Sequence, residues 1–343
     1  MKFRFASAGF VALALLALFT SSAVAGKSGP GTSTGSGQVF LPNPVAVLGD
    51  QSLTDQRDAD YAALQPAYRT VTLTNLDGSG YLRGDWANVL SETGNPAFSA
   101  TNTFIYTRHD DRFEQVMAYY WVTEAQKYIQ SLGFGSTYPA VNKESQDVRI
   151  NQIGIDNSFS WDKKDLLRFG KGGVDDAEDA EVILHEYGHA IQDSQMNPPG
   201  FGSSVEAGSI GEGFGDYWAV TVSDVIAPTA DPACVADWDS VSYTSTVPHC
   251  LRRVDTNLHY PQDLNGRVHH DGQIWSRALW DIRNALGHVK ADTIILQAQF
   301  SFAPDTSMPA AAQATVNTAE TLYGHAAANA VRQAFVNRGI LAP

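Results

Sequence analysis

The stretch that most limits how this chain can fold is His185-Glu186-Tyr187-Gly188-His189. Ala180, Ile183, Leu184, Ala190 and Ile191 recur around it at helical spacing, and Asn197-Pro198-Pro199-Gly200 follows as a stop. Residues 175–194 are therefore expected to form one helix. Asp175, Asp176, Glu178, Asp179 and Glu181 crowd its start, where the positive end of the helix dipole favours carboxylates. His185 and His189 are four apart, so their rings leave one face, one turn apart. Two imidazoles so placed can share a tetrahedral zinc ion. Glu186 then lies beside the ion without ligating it and can take a proton from water. Two surface histidines and a solvated glutamate would give the same five letters, so the remaining donors must come from elsewhere in the chain.

A hydrolytic zinc site needs a third protein donor and one open position. A third histidine six residues after the second is excluded. Gln195 stands there, and Gln192 stands where the accompanying glycine belongs. The other solution is a carboxylate from a later helix, and Gly211-Glu212-Gly213-Phe214-Gly215-Asp216-Tyr217-Trp218 offers one. Glu212 and Asp216 are four apart and share a helix face. Glu212 can ligate while Asp216 accepts the free ring N–H of a ligand histidine. Glycine inside a helix costs about 1 kcal/mol against alanine. Gly211, Gly213 and Gly215 therefore imply a close approach to the histidine helix. Further on, Val268-His269-His270-Asp271-Gly272-Gln273-Ile274-Trp275 opens a helix for which Asp271 is the expected N-cap. An imidazole there can hydrogen-bond the oxygen that becomes anionic when water attacks a carbonyl. Leu251-Arg252-Arg253 offers guanidinium groups for the same oxygen or for substrate backbone.

With 343 residues, 43% of them hydrophobic, the chain can build two lobes around a sizeable core. Residues 40–99 read as strands and turns. A hairpin is expected from Tyr68–Leu73 through Asp77-Gly78-Ser79-Gly80 to Tyr81-Leu82. Residues 110–132 form an amphipathic helix whose Phe113, Val116, Met117, Tyr120, Tyr128, Ile129 and Leu132 are assigned to packing. His109, just before it, is assigned to a local polar contact. Residues 147–169 return to strands, and Gly170-Lys171-Gly172-Gly173 turns the chain into the histidine helix. Helices are expected after it at 211–224, 271–286, 292–300, 309–323 and 326–338. The organisation is thus α+β, with a β-rich lobe over 40–174 and a mainly helical lobe over 175–343. The histidine helix lies between them, at a cleft.

Lys2, Arg4, the apolar run 10–19 and Ala23-Val24-Ala25 mark residues 1–25 as an export signal. Residues 26–39, rich in Gly, Ser and Thr, are expected to be a flexible linker. Export makes Cys234 and Cys250, the two cysteines of the chain, a disulfide pair, stabilising by about 3 kcal/mol in the chain-entropy model. Zinc ligation by the pair is the weaker reading, since no CxxC is present. The net charge of −14 and the absence of a basic stripe argue against nucleic acid and anionic membrane as partners. No apolar stretch after the signal is long enough to cross a bilayer. A monomer acting on a polypeptide is expected.

These motifs resemble those of secreted zinc metallopeptidases of the thermolysin and fungalysin families, the gluzincins. HEYGH resembles the fungalysin zinc helix, and GEGFGDYWA resembles the segment bearing the glutamate ligand and the aspartate four later. VHHDGQIW is similar to the fungalysin V-H-x-x-G-x-x-W segment, whose first histidine is the transition-state residue, which carries over to His269 rather than His270. Asn157-Ser158-Phe159 resembles the edge-strand N-A-F of thermolysin, implying that Asn157 and Ser158 hold substrate backbone. Leu251-Arg252 resembles the segment with the oxyanion arginine, with Arg253 as the fallback. Glu181 sits where thermolysin has a calcium-binding aspartate, which makes Ca2+ a further candidate ion.

The resemblance covers roughly residues 100–343. It implies a two-lobed, thermolysin-like zincin fold and a secreted zinc endopeptidase. In that enzyme His185, His189 and Glu212 bind one Zn2+, and Glu186 is the general base. His269 and Arg252 stabilise the oxyanion. The chain departs from the pattern in three places. Too little sequence precedes the lobes for the long propeptide these families carry. Ser203 stands nine before Glu212, where thermolysin has a tyrosine. The other calcium residues have no match. Two further readings are an inactive, zinc-bearing secreted binding protein and an exopeptidase on the same fold. Glu186 and His269 argue against the first, because inactive relatives tend to lose one of them. No free-amino-terminus pocket is marked for the second.

Overall fold

The computed structural model describes residues 31–91, 95–151, 154–161, 164–196 and 200–343. The export signal over residues 1–25 lies outside the described residues, as does the Asn197-Pro198-Pro199 stop. The N-terminal half sets two small sheets against one long helix. In the first sheet β1 (Ser33–Val39) lies between β2 (Arg69–Leu76), antiparallel to it, and β4 (Thr103–Phe104), parallel to it. The expectation of a flexible linker over 26–39 is thus corrected for residues 33–39, which form the central strand. The glycines that suggested flexibility are there for close packing. A Cβ on Gly37 would lie 2.6 Å from Val116 Cγ1, and one on Gly35 would lie 2.3 Å from Asn102 O. The hairpin to Tyr81-Leu82 is also corrected, because β1 takes the ladder of β2 and leaves the segment after the turn with single bridges such as Leu76 to Gly84.

A short helix α1 (Pro44–Leu48) follows β1, and α2 (Arg112–Ser131) carries the expected apolar face. Phe113, Val116, Met117 and Ile129 on α2 are fully buried. The second sheet has the order β3-β5-β7-β6, with β3 (Ala87–Ser91), β5 (Gln146–Ile150) and β7 (Leu166–Arg168) parallel. β6 (Phe159–Trp161) closes it as an antiparallel edge.

The C-terminal half is helical: α3 (Ala180–Ser194), α4 (Val205–Ile226), α5 (Val268–Leu286), α6 (His288–Gln299), α7 (Met308–Tyr323) and α8 (His325–Asn337). Between α4 and α5 a two-strand ribbon, β8 (Cys234–Val235) and β9 (Arg252–Arg253), is tied by the Cys234–Cys250 disulfide. One continuous apolar core runs from β1 through α2, α3 and α4 to α8.

Two helix starts differ from expectation for one reason: an aspartate takes backbone N–H groups where it was not looked for. α3 begins at Ala180, not 175. Asp179 is its N-cap, accepting from Glu181 N at 2.9 Å, so among the five acids only Glu181 lies in the first turn. Glu178 instead meets Arg108, a fully buried side chain whose Nε donates to Glu178 Oε2 at 2.7 Å and whose Nη2 donates to Asp55 Oδ1 at 2.6 Å. α5 begins at Val268, and Asp271 is not its cap; its carboxylate accepts from Asn265 N and Gly266 N at 2.8 and 2.9 Å. Breaking a buried ion pair leaves an uncompensated charge. Arg108→Met is therefore expected to lower unfolding free energy by about 3–5 kcal/mol in denaturant titrations. A loss within error of zero would show that the pair is not a tie between the halves.

The glycines of α4 divide their work. A Cβ on Gly215 would lie 2.8 Å from His185 Cε1, and one on Gly213 would lie 2.3 Å from Gly272 O on α5. The nearest atom to a Cβ on Gly211 is Gln192 Oε1 at 3.5 Å, an ordinary contact. So Gly215 answers the expected approach to the histidine helix, Gly213 serves α5, and Gly211 is not required by space. Gly211→Ala should stabilise by up to about 1 kcal/mol, since alanine is the better helix former. Gly213→Ala and Gly215→Ala should each destabilise by about 1–3 kcal/mol through overpacking. Thermal unfolding of the three variants separates these outcomes, and equal effects would contradict the division.

Candidate metal centre

His185 and His189 project from α3, and Glu212 meets them from α4. Glu212 Oε2 is 3.3 Å from His185 Nε2, and Glu212 Oε1 is 3.7 Å from His189 Nε2. One donor atom from each of the three residues lies within 4.8 Å of the others. Tetrahedral zinc with bonds near 2.0–2.1 Å holds its donors about 3.3 Å apart, close to the two separations between Glu212 and the histidines. Glu212 Oε2 is buried and has no hydrogen-bond donor of good geometry, an acceptor awaiting a cation. Burial alone would raise the Glu212 carboxyl, but His185, with His189 and His269, outweighs it and holds it well below the usual range.

Asp216, one turn after Glu212, fixes the rest. Its Oδ1 is 2.9 Å from His185 Nδ1, and its carboxylate accepts from Arg252 Nε and Nη2 at 2.7 Å each. Burial opposes ionisation of Asp216, yet Arg252 and His185 together draw its carboxyl down to about 2. Burial likewise works against a charged His185, but Asp216 and Glu212 raise its imidazole to about 10; His189, for which burial dominates, falls to about 4. A proton on Nδ1 facing Asp216 leaves the Nε2 lone pair of His185 free to bind a metal ion on the Glu212 side.

Glu186 is 7% exposed, and burial pushes its carboxyl up to about 7. It opens onto a pocket of about 490 Å³ of empty volume that reaches Asn157, Ser158, Arg252 and His269. His269 Nε2 lies 3.2 Å from Glu212 Oε2, on an otherwise exposed side chain. His270 turns to Asp271 Oδ1 at 3.0 Å. Arg253 is engaged by Asp231 and Asp255, each at 2.7 Å, so the arginine beside the site is Arg252. Asn157 and Ser158 immediately precede the edge strand β6, and the Ser158 hydroxyl donates to Asp176 Oδ2. Glu181 has both oxygens taken within the fold, by Ser223 Oγ and Ala236 N at 2.7 Å each. His109 Nδ1 is 3.3 Å from Asp58 O.

Reasoning from sequence missed two features. The Asp216–Arg252 pair spans 36 positions and has no local signal; the sequence assigns Asp216 to a ligand histidine and Arg252 to the oxyanion. Asp176 and Asp239 line the pocket, whereas Asp176 had been read as a helix-dipole acid. Five acids exceed what a helix start needs, and that excess was the available clue.

Residues 78–341 match the fungalysin metallopeptidase family (M36). The extracellular metalloproteinase MEP of Leptosphaeria maculans is 27% identical over 131 residues, 36% of this chain and 20% of that protein. A gelatinase of Enterococcus faecalis is 26% identical over 204 residues, 54% of this chain and 38% of that protein. The chain therefore spans well under half the length of these relatives. The solved precursor of protealysin, a metalloproteinase from Serratia proteamaculans, superposes with a TM-score of 0.56 over 75% of this chain and 88% of that one, at 18% identity. It shares the α+β, thermolysin-like fold. The family implies a zinc cofactor, and His185, His189 and Glu212 form a candidate site for it. Since the matched stretch runs from before β3 through α8 and includes both helices of that site, the chain belongs to the fungalysin metallopeptidase family.

Proposed function

We propose that this chain is a secreted zinc endopeptidase. The observation that carries the reading is the convergence of His185, His189 and Glu212 beside a buried, unpaired Glu186 carboxylate oxygen. The relatives named extracellular metalloproteinases, the disulfide and the signal-like residues 1–25 support export. A zinc ion held by the three donors would supply a Lewis acid that polarises a peptide carbonyl and brings the pKa of water from 15.7 to about 7.

The chain's own groups do the rest. Glu186 accepts the proton that water loses as its oxygen attacks the carbonyl carbon, then delivers it to the leaving nitrogen. Burial suits Glu186 to this, because a carboxyl near 7 both takes and releases a proton at neutral pH. His269 donates from its ring to the oxygen that becomes anionic. Arg252 has Nε and Nη2 on Asp216, which leaves Nη1 for that oxygen. Asn157 and Ser158, at the start of an edge strand, align substrate backbone as an added strand.

Metal analysis of the purified chain should give one zinc per molecule, with casein cleavage abolished by a chelator and restored by zinc. Glu186→Gln should keep the zinc and lose about 10²–10⁴ in turnover. Undiminished casein cleavage by that variant would refute the role of Glu186, and a metal-free, chelator-insensitive enzyme would refute the whole reading. A peptide blocked at both ends distinguishes internal cleavage from trimming. Asp216→Asn, which leaves the shape but loosens the grip on His185, should weaken zinc binding about 10–100-fold in competition with a chelating dye. Unchanged affinity would mean that Asp216 serves Arg252 alone.

A further inference from the structure

The pocket that opens at Glu186 and Arg252 continues to a floor of carboxylates that hydrolysis does not use. Asp176, in the 3-10 turn Asp176–Glu178 before α3, and Asp239, in the 3-10 turn Asp239–Ser242 after β8, both line it. Each is only 3% exposed. One oxygen each of Asp156, Asp176 and Asp239 lies within 4.8 Å of the others. Part of this set is satisfied: Ser158 Oγ donates to Asp176 Oδ2, and Tyr243 OH donates to Asp156 Oδ1 at 2.5 Å. Asp176 Oδ1 and Asp239 Oδ1 are buried with no hydrogen-bond partner. The neighbouring cation, Arg252, is committed to Asp216 through two nitrogens.

Buried carboxylate oxygens without donors are unfavourable unless a cation reaches them. Val182, Val235, Ala236 and Leu251 give the pocket one apolar side among otherwise polar lining residues. Calcium takes six to eight oxygen ligands, so it would need water beside these three carboxylates, and the test below separates that outcome. A lysine or arginine side chain fits both parts, its methylene stem against the apolar side and its cationic head on the floor. We propose that this pocket receives the substrate side chain beside the cleaved bond and that Asp176 and Asp239 select lysine or arginine there. The inference rests on the peptidase reading and adds its specificity.

The test begins with the zinc-loaded wild-type chain. It digests peptides from a denatured proteome, and mass spectrometry reads the residues flanking each cut. Lysine and arginine should be enriched at one fixed flanking position. A doubly blocked peptide with Lys at that position should exceed its Leu counterpart in kcat/KM by about tenfold or more. Asp239→Asn and Asp176→Asn, measured separately, should each shrink that Lys-to-Leu ratio about tenfold, and Asp239→Lys should shift enrichment toward acidic residues. Cleavage with apolar residues enriched, or with no charge preference, overturns the subsite and leaves the peptidase reading intact. A second divalent ion bound stoichiometrically and lost in Asp239→Asn overturns it in favour of a metal site. A zinc-loaded chain that cleaves no peptide removes both.

Discussion

Two helices meet where neither has a side chain, and the candidate centre depends on that contact. A Cβ on Gly188 of α3 would lie 3.1 Å from Gly215 Cα of α4. At this separation the His185 ring rests directly on Gly215. Glu212, one turn before Gly215, then reaches both imidazoles, and Asp216, the next residue, reaches the far side of the His185 ring. A methyl group on Gly188 would have to displace the α4 backbone, and one on Gly215 would displace the His185 ring itself. Close packing thus sets the position of three donors drawn from two segments.

Charge then fixes orientation. Asp216 is buried at 1% exposure between a ring nitrogen and a guanidinium, and both partners favour its ionised form. The arrangement ties the β8–β9 ribbon, which carries Arg252 and is pinned by the disulfide, to the helix carrying Glu212. A shift of the ribbon would be felt at His185 through one carboxylate. The same region supplies Asp239, so the proposed metal chemistry and the proposed side-chain selectivity share one frame.

Much of this could be read from the chain, for a physical reason. Ligands four apart on a helix, a second carboxylate pair at the same spacing and apolar periodicity are local patterns, and local geometry follows from them. Five later helices were expected and are present, with α4 starting earlier because Ser204 caps it. What could not be read was set by distant partners. Ser33–Val39 looks like a linker by composition, and only distant neighbours, Val116 of α2 for Gly37 and the backbone at Asn102 for Gly35, explain why these glycines belong in a strand. The acids before α3 look like dipole residues, and only Arg108 and the pocket reveal other uses. Gly211, Gly213 and Gly215 suggest one contact by sequence, and the structure separates them into two contacts and a spare.

The proposed centre is one ion held jointly by α3 and α4. Crystals of the zinc-loaded chain, measured on both sides of the zinc absorption edge, test this directly. The expected result is one strong anomalous peak about 2.0–2.2 Å from His185 Nε2, His189 Nε2 and a Glu212 carboxylate oxygen. A map with no peak there, or with zinc held by other residues, would contradict it.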